Sequence, residues 1–577
     1  MLNGEKMKTY NTIKRIMMAA AIIAAAIFVS AGAVFAFIDK TEYIPGEIIV
    51  KFKDGADPAA VLKETGIGVK AIERIYPITP IVVKYRSDHP EISAPSDEDI
   101  FELAREEMTD SEKSIYRTYK VTLAEGIVVT DATDKLHDSA NVEYAEPNYK
   151  VDLQDFTGAA IMNAPIGTND LVWGLRKIEA GMAWNITKGE GVIVAVIDTG
   201  VDFEHMDLSP NMWINRGEDI ERDERVDDSD YNLKDDDGNG YIDDMNGWSF
   251  VPERGNSRAF EPGDRYGHGT LCAGAIAAAG NNRIGLSGVA PMAKIMAVKV
   301  LDDDGAGYID TIVKGIIYAV DNRAQVLSCS WGVKAHSMAL IDAFHYADSK
   351  GRVCVAAAGN GDEDVSAVSP ANIDTVIAVA ATDHNDEKPA FSNWGKKIDI
   401  AAPGVDIISS ISRAYNWLMM DGSRIVGEGY YRSNGTSLAC PYVAGAAALV
   451  LSQFKEYCPE QVKKALVTGS DNIRKKGDVL GYGRLNLFRA LSLGPVEITS
   501  QVTKAGSSIS QEPKIERVKE RVFELYLREL VRIIKEDNSA EKSSNNTPWD
   551  TLCRIFTFIF WQWPFGLLRW IIKGRIF

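Results

Sequence analysis

Three residues of the chain are of the types that a serine hydrolase needs, and each lies in a short motif rich in small residues. Asp198 ends the run VIVAVID, His268 stands between two glycines in GHGTLCAG, and Ser437 lies in NGTSLACPYVAG. A serine hydroxyl is a weak nucleophile, so it needs a base within hydrogen-bond reach and a buried carboxylate that holds this base in the useful tautomer. The three side chains supply one of each, so together they could carry out acyl transfer.

The patterns around these residues predict elements that would present them at one edge of a sheet. The apolar run 192–197 is typical of a buried parallel strand, which places Asp198 at its carboxyl end, where open α/β sheets hold their chemistry. His268 precedes a run of small residues, which predicts a helix start. Ser437 lies just before Pro441 and a long Ala/Val/Leu run, which predicts the first turn of a buried helix. The N–H groups of that turn would stabilise a developing negative charge.

The chain order of the three residues narrows the class of hydrolase. Asp precedes His and His precedes Ser, which is the order in subtilisin and not that in chymotrypsin-like or α/β-hydrolase enzymes. With the DTG, GHGT and GTS motifs intact, residues 173–487 resemble the subtilisin-like serine proteases over their whole length. The resemblance implies a three-layer α/β fold with a mostly parallel sheet between helices, and hydrolysis of polypeptides through an acyl-enzyme intermediate.

The same resemblance assigns roles to residues outside the three motifs. Asn360 would donate its side-chain amide to the oxyanion, beside the backbone N–H of Ser437. Two extended segments would flank a bound peptide as an added β-strand, because backbone pairing gives affinity and pockets give preference. The residues expected to line this peptide site are Gly305, Ala306, Gly307, Ser330, Trp331, Gly332, Ala358, Gly359, Gly435 and Thr436.

Two of the residues near the site distinguish it from the common form. Trp331 stands where the family more usually has a leucine, so we expect a narrowed pocket for the fourth residue before the cut. Cys272 follows His268 by four residues, a position that is also cysteine in a thiol-containing branch of the family, where the sulfur lies near the imidazole. Plain core packing of Cys272 is the alternative.

Each catalytic candidate taken singly has a more ordinary explanation. Asp198 could be a strand-end turn residue, His268 a core histidine, Ser437 a helix N-cap and Asn360 a turn former. Three specific motifs in one order argue against chance agreement. Two rival functions stay open: a non-catalytic peptide-binding scaffold on this fold, and a membrane-tethered processing factor with one dedicated substrate.

The first residues of the chain predict export. Basic residues precede an apolar stretch, so residues 1–37 are expected to be a cleaved signal peptide or, alternatively, an N-terminal membrane segment. In either case the positive flank places the remainder outside the cytoplasm. The protein is therefore expected to be secreted, or extracytoplasmic and membrane-associated.

Residues 41–152 resemble a subtilase prodomain. The segment 43–53 predicts a turn followed by an alternating strand, and 141–149 predicts a second strand that leaves the unit. The resemblance implies a small α+β unit that covers the active site, assists folding and inhibits the enzyme until the enzyme removes it. A permanent amino-terminal domain is the alternative, because no sequence feature fixes the cleavage bond.

An acid-rich insertion lies between Asp198 and His268. Thirteen acidic residues fall within 218–244 of a chain whose net charge is −18, which argues against nucleic acid as a partner and towards cations. Alternating oxygen donors and a glycine match the front half of a calcium loop, although Asn246 stands where the closing Glu belongs. The predicted ligands are Asp235, Asp237, Asn239, Tyr241 and either Asp243 or Asp244. A solvated acidic turn is the alternative.

A second, weaker calcium site is implied by the resemblance. Asp207 and Asn282 match positions that share one calcium in the family. Calcium at either place would stabilise the native state by mass action and take no part in the chemistry.

The composition changes after the peptidase domain, which we assign to residues 153–497. Residues 498–513 predict a linker, and residues 514–536 place apolar side chains at helical spacing among charges, which predicts an amphipathic helix. Residues 549–577 form a hydrophobic tail with four tryptophans and basic residues near its end. This pattern favours a segment in a membrane interface, with a true span or packing onto a partner as alternatives.

Overall fold

The computed structural model describes residues 42–89, 96–153, 172–251 except 224 and 228, 261–414, 424–473 and 480–492. These residues all belong to one unit, Thr41–Glu497. The predicted signal segment, the linker, the amphipathic helix and the tryptophan-rich tail lie outside the described residues.

The amino-terminal part is a small α+β unit with an antiparallel sheet. Its elements are β1 (Tyr43–Phe52), α1 (Pro58–Glu64), β2 (Val69–Arg74), α2 (Thr79–Asp88), α3 (Asp97–Arg105), α4 (Asp110–Ile115), β3 (Thr118–Leu123), α5 (Val129–His137) and β4 (Val142–Asp152). The strands lie in the order β2-β3-β1-β4. Helix α1 begins where the Asp57 carboxylate accepts the Ala59 N–H and Pro58 fills the first helical position.

This unit has an apolar core of its own. Ile48, Val50 and Phe52 alternate along β1 and lie on one face of the sheet, where they meet Leu62 of α1 and Leu136 of α5. The two-residue period of the sequence in this strand therefore determines which side chains are buried.

The carboxyl-terminal part is a three-layer α/β domain around a seven-stranded sheet. Its elements are α6 (Trp173–Lys177), α7 (Ala180–Ala183), β5 (Ile193–Asp198), β6 (Gly247–Ser249), α8 (His268–Ala277), β7 (Lys294–Lys299), β8 (Ala306–Tyr308), α9 (Ile309–Asp321), β9 (Val326–Cys329), α10 (Met338–Ser349), β10 (Val353–Ala357), β11 (Val376–Thr382), β12 (Ile400–Pro403), β13 (Ile407–Ser410), β14 (Tyr430–Ser433), α11 (Thr436–Gln453), α12 (Pro459–Gly469) and α13 (Leu487–Ser492). The strand order is β12-β11-β10-β9-β5-β7-β6, and the neighbouring strands run parallel.

Both faces of the large sheet are covered by helices, which explains the continuous apolar runs of its strands. Val194 and Val196 of β5 face a core that contains α8 and α11. Ala195 and Ile197 face the opposite core, which contains α9 and α10. The parallel strands end at a common edge, so Asp198 at the end of β5 and the loop after β10 are brought together.

The predicted architecture is confirmed for the described residues: a three-layer α/β domain with a parallel sheet between helices is preceded by a small α+β unit. Among the described residues, one helix, α11, is long and apolar enough to cross a membrane. Within its most apolar stretch of 18 residues, 89% are buried inside the fold.

Candidate active site

Asp198 and His268 are in direct contact at the edge of the large sheet. His268 Nδ1 lies 2.7 Å from Asp198 Oδ1, and both side chains are 1% exposed. Asp198 ends β5 and His268 begins α8. The helix can approach because residue 269 is a glycine, where a Cβ would collide with the carbonyl oxygen of Gly200. The first pair of predicted residues is therefore brought together by the fold.

The electrostatics of this pair favour a protonated imidazole. Burial acts to lower the pKa of His268, but the Asp198 carboxylate and the neighbouring Cys272 together outweigh burial, so this pKa lies well above its ordinary value of 6.5. A carboxylate that accepts the Nδ1 proton also fixes the tautomer, which leaves Nε2 as the atom that can take up a proton from a nucleophile.

Ser437 lies in the first turn of α11 and is 7% exposed. Its hydroxyl donates to the Ser330 carbonyl oxygen over 3.3 Å. The thiol of Cys272 connects it to the histidine, because the sulfur lies 3.9 Å from His268 Nδ1 and donates to the Ser437 carbonyl oxygen over 3.5 Å. Burial raises the pKa of Cys272, so the thiol stays neutral. The nucleophile candidate and the base candidate therefore begin two adjacent helices.

Asn360 and the start of α11 enclose a small space with two N–H donors. Asn360 Oδ1 accepts the backbone N–H of Thr436 over 2.9 Å and its hydroxyl over 3.0 Å, which orients the amide. A Cβ built on Gly435 would lie 3.5 Å from Asn360 Nδ2 and 3.6 Å from the Ser437 nitrogen. Glycine at 435 keeps this space open. Two donors that converge on one point are what stabilisation of an oxyanion requires.

The predicted peptide-flanking segments both contact the last strand of the amino-terminal unit. Strand β4 pairs antiparallel with β8, with Val151 opposite Gly307 and Asp152 opposite Ala306. The Leu153 N–H continues this ladder by donating to the Gly305 carbonyl oxygen over 3.0 Å. On the other side Asp152 forms an antiparallel bridge with Gly332. An extended strand of the same chain therefore occupies the groove.

Trp331 is buried in the large domain. The residue is 1% exposed, and its Nε1 donates to the Ile197 carbonyl oxygen over 2.8 Å. It belongs to the same buried apolar cluster as Val151 of β4. The narrowed pocket for the fourth residue before the cut stays a prediction.

Two polar residues of β4, which sequence reasoning missed, bind the first turns of helices in the three-layer domain. The buried Glu146 carboxylate accepts hydrogen bonds from the Ser337 hydroxyl and from the N–H groups of Met338 and Ala339, at the start of α10. Asn148 donates to the Asp310 carboxylate over 2.9 Å at the start of α9. The sequence pattern could have indicated this pair, because residues 146 and 148 are two positions apart in a predicted strand and so lie on the same face of it.

The acidic insertion places three carboxylates close together. Oxygen atoms of Glu218, Asp235 and Asp237 all lie within 4.8 Å of one another. Glu218 is completely buried, and burial raises its pKa to about 7. Three neighbouring carboxylates repel one another and together attract a cation. Carboxylate oxygens are the ligands that calcium prefers, so this donor set fits calcium. Sequence reasoning missed Glu218 because it lies well before the loop motif and outside its spacing.

The other predicted ligands of this loop divide into two groups. Asp244 lies beside Asp237, because Asn215 Nδ2 donates to both carboxylates, over 2.6 Å to Asp244 and over 2.9 Å to Asp237. Asp244 also accepts a hydrogen bond from Asn239 Nδ2 over 3.1 Å. Asn239 Oδ1 accepts the Tyr241 N–H over 2.8 Å. The Asp243 carboxylate instead accepts the backbone N–H groups of residues 232 and 233. Of the two alternatives for the closing ligand, the geometry favours Asp244.

The second predicted calcium pair is also brought together. Asn282 Nδ2 donates to Asp207 Oδ1 over 2.8 Å. The completely buried Asp207 carboxylate also accepts the Leu286 N–H over 3.0 Å and the Tyr430 hydroxyl over 2.7 Å. Protein donors therefore surround this carboxylate, and calcium at this place stays a prediction.

Comparisons with known proteins agree with this architecture. The sequence profile described as the subtilase family matches residues 189–485, and that of the fervidolysin N-terminal prodomain matches residues 31–148. The thermophilic serine proteinase of Bacillus sp. (strain AK1) is 32% identical over 463 residues, which are 79% of this chain and 89% of that protein. Thermitase of Thermoactinomyces vulgaris is 35% identical over 324 residues, which are 55% of this chain and 95% of that protein.

A solved structure shares the fold of both parts. The crystal structure of fervidolysin from Fervidobacterium pennivorans, described as a keratinolytic enzyme related to subtilisin, matches with a TM-score of 0.56 and 25% identity. The match covers 80% of this chain and 62% of the fervidolysin chain, so this chain spans less than two thirds of that protein. The protein belongs to the subtilase family of serine endopeptidases and carries a fervidolysin-type prodomain.

Proposed function

We propose that the protein is an extracytoplasmic endopeptidase in which Ser437 is the nucleophile, His268 the general base and Asp198 the residue that orients the base. The contact of 2.7 Å between His268 Nδ1 and Asp198 Oδ1, at two fully buried side chains, carries this proposal. The basic residues and apolar stretch within 1–37 support export from the cytoplasm.

The chemistry then follows from the positions of the groups. Ser437 Oγ attacks the scissile carbonyl carbon while His268 Nε2 takes up the hydroxyl proton, and Asp198 stabilises the imidazolium. The Asn360 amide and the Ser437 N–H hold the oxyanion of the tetrahedral intermediate. His268 next donates its proton to the leaving amine, and water releases the acyl-enzyme by the same steps in reverse order.

Substrates are polypeptides that bind as an extended strand. The pairing of β4 with β8 and with Gly332 supports this, because a substrate would use the same backbone groups. We also assign β4 and the unit that carries it the role of an intramolecular inhibitor, since a strand in the groove excludes substrate. The enzyme would remove this prodomain by cleaving its own chain after β4.

Calcium would be held by Glu218, Asp235 and Asp237, with Asp244 and the Asn239 side chain close by. The mutual proximity of the three carboxylates supports this site. A bound cation would neutralise their repulsion and stabilise the loop by mass action.

The deciding experiment compares the wild-type chain with Ser437→Ala and with Ser452→Ala. Ser452 lies at the far end of the same helix and donates to the Glu190 carbonyl oxygen, so it is a matched control. Wild type and Ser452→Ala are expected to lose the prodomain and to react with a fluorophosphonate probe. Ser437→Ala is expected to stay full length and unlabelled. Prodomain removal at an unchanged rate in isolated Ser437→Ala would refute self-processing.

Two further assays address the substrate range and the tail. Hydrolysis of casein by the processed enzyme would distinguish a broad protease from a factor with one dedicated substrate. For residues 549–577 we propose attachment to a membrane interface, which is tested by sedimenting the full chain and a chain ending at residue 548 with anionic lipid vesicles. Equal sedimentation of the two chains would contradict this attachment.

A further inference from the structure

Asn393, a residue from a later part of the chain, makes four hydrogen bonds to the loop that carries Asn360. This asparagine is completely buried in the loop after β11. Its backbone N–H donates to the Gly359 carbonyl oxygen over 2.9 Å, and its Oδ1 accepts the Gly361 N–H over 2.9 Å. Its side chain also accepts the Glu363 N–H over 3.0 Å and donates to the Ala358 carbonyl oxygen over 2.8 Å.

These hydrogen bonds fix the backbone on both sides of Asn360. Gly359 and Gly361 are the two chain neighbours of Asn360, and Gly359 has a φ of +103°. Glycine restricts the backbone less than any other residue, so the sequence Gly-Asn-Gly does not by itself fix where the Asn360 amide lies. Thr436 holds the Asn360 side chain from the opposite direction. The position of Asn360 Nδ2 therefore depends on contacts from other parts of the chain. Thr436 binds the Asn360 side chain and the Gly359 N–H, and Asn393 binds the backbone on both sides of Asn360.

We propose that Asn393 is a positioning residue for the oxyanion donor Asn360. The inference rests on the catalytic role proposed above for Asn360. An oxyanion donor acts only when it lies about 2.7–3.1 Å from the developing charge, and a misplacement of about 1 Å is enough to cost about a hundredfold in rate. The hydrogen bonds of Asn393 go to the backbone of residues 358–363, which includes Ala358 and Gly359 of the predicted peptide site, and Asn393 acts on Asn360 through that backbone.

The rest of this loop has an independent attachment, so removal of the Asn393 side chain should displace Asn360 without unfolding the domain. The Asp362 N–H donates to the Phe391 carbonyl oxygen, and the Trp394 N–H donates to the Glu363 carbonyl oxygen, both over 3.0 Å. These two bonds involve backbone atoms only, so they do not require the side chain of residue 393.

The test is a double-mutant cycle in the processed full-chain enzyme, with kcat and KM measured on a fluorogenic peptide. Asn393→Ala is expected to lower kcat about tenfold or more, with KM within about twofold of wild type, because the lost interaction is made only in the transition state. In an Asn360→Ala background the same change is expected to lower kcat by less than about twofold, because the donor to be positioned is already absent. The acidic limb of the pH–rate profile should not move, since His268 is untouched.

Asn486→Ala is the matched control for a purely structural loss. Asn486 is 1% exposed, and its side chain makes two hydrogen bonds, to Asp471 and to the Arg489 N–H, away from the loop of Asn360. If Asn393→Ala yields no soluble protein, Asn393→Ser takes its place in the same cycle, with an expected kcat between those of wild type and Asn360→Ala.

Three outcomes would overturn the proposal. The first is an equal loss of kcat from Asn393→Ala in the wild-type and Asn360→Ala backgrounds. The second is a loss of kcat in Asn393→Ala no larger than that in Asn486→Ala. The third is a shift of the acidic limb of the pH–rate profile in Asn393→Ala. If wild type hydrolyses no peptide, or if Asn360→Ala retains full kcat, the proposed function itself fails. A slow Asn360→Ala enzyme beside a normal Asn393→Ala enzyme refutes only the positioning role.

Discussion

Glu146 is the prodomain side chain whose loss we expect to weaken inhibition most directly. Its carboxylate is 6% exposed and accepts hydrogen bonds of 2.7 Å from Ser337 Oγ, 2.8 Å from the Met338 N–H and 3.2 Å from the Ala339 N–H. These donors belong to the first turn of α10, where unpaired N–H groups and the helix dipole favour an anion. Glu146→Ala removes the anion and leaves the three donors facing an apolar side chain.

The size of the effect follows from these contacts. Truncating one partner of a buried, hydrogen-bonded charge at an interface costs about 2–5 kcal/mol. The three donors regain water whenever the prodomain dissociates, so their unpaired state in the complex counts in full against binding. Since about 1.4 kcal/mol corresponds to a factor of ten, the inhibition constant of the prodomain should rise about 30- to 4000-fold.

The assay dilutes the purified complex of processed enzyme and prodomain into a fluorogenic peptide at about pH 8. Burial raises the pKa of Glu146 to about 7, so its carboxylate is ionised under these conditions. The dependence of recovered activity on protein concentration gives the inhibition constant. The control is Glu143→Ala, because Glu143 lies on the same strand and pairs with Arg117 inside the prodomain. An inhibition constant for Glu146→Ala within threefold of that for Glu143→Ala would refute the reasoning.

Three other predictions concern pH, metal and processing. Because the pKa of His268 is raised above 6.5 and only neutral imidazole acts as a base, kcat/KM should fall as the pH drops through a value above 6.5, and a rate that stays flat down to about pH 5 would exclude this base. Excess calcium should raise the melting temperature by an amount equivalent to about 2.7 kcal/mol for each site at a hundred times its Kd, and calorimetry of the double variant Asp235→Asn, Asp237→Asn should show a smaller rise than wild type. Asp152 forms an antiparallel bridge with Gly332, and Ser437 Oγ contacts Ser330, which lies two residues before Gly332. In an antiparallel register the residue two positions after Asp152 is Gln154, so we predict cleavage of the bond between Gln154 and Asp155. Mass spectrometry of the mature chain should then find Asp155 as its first residue.

The candidate catalytic residues could be predicted from the sequence because each lies in a motif with a local signature. Asp198 follows an apolar run, and His268 and Ser437 precede helices of small residues, so their elements and their common edge followed from pattern alone. Their roles as a catalytic triad stay a prediction until the serine variant is assayed.

Residues that act on a distant segment could not be predicted in this way. Glu218 joins the acidic loop, and Asn393 joins the loop of Asn360, only through tertiary contacts, so no spacing rule reveals them. The choice between Asp243 and Asp244 also required the structure. Adjacent residues point in different directions in this turn, where Asp243 has a φ of +54°, and sequence does not determine which one turns inward.

The strand geometry of the groove determines which proteins such an enzyme could cut. Residues 151–153 bind with their backbone extended and paired on both sides, which a segment inside a folded helix or sheet cannot offer without losing its own hydrogen bonds. A folded substrate would therefore first have to open locally, and its rate of cleavage would follow the free energy of that opening. Selection among substrates would then depend on local unfolding of the target as much as on the side chains beside the cut.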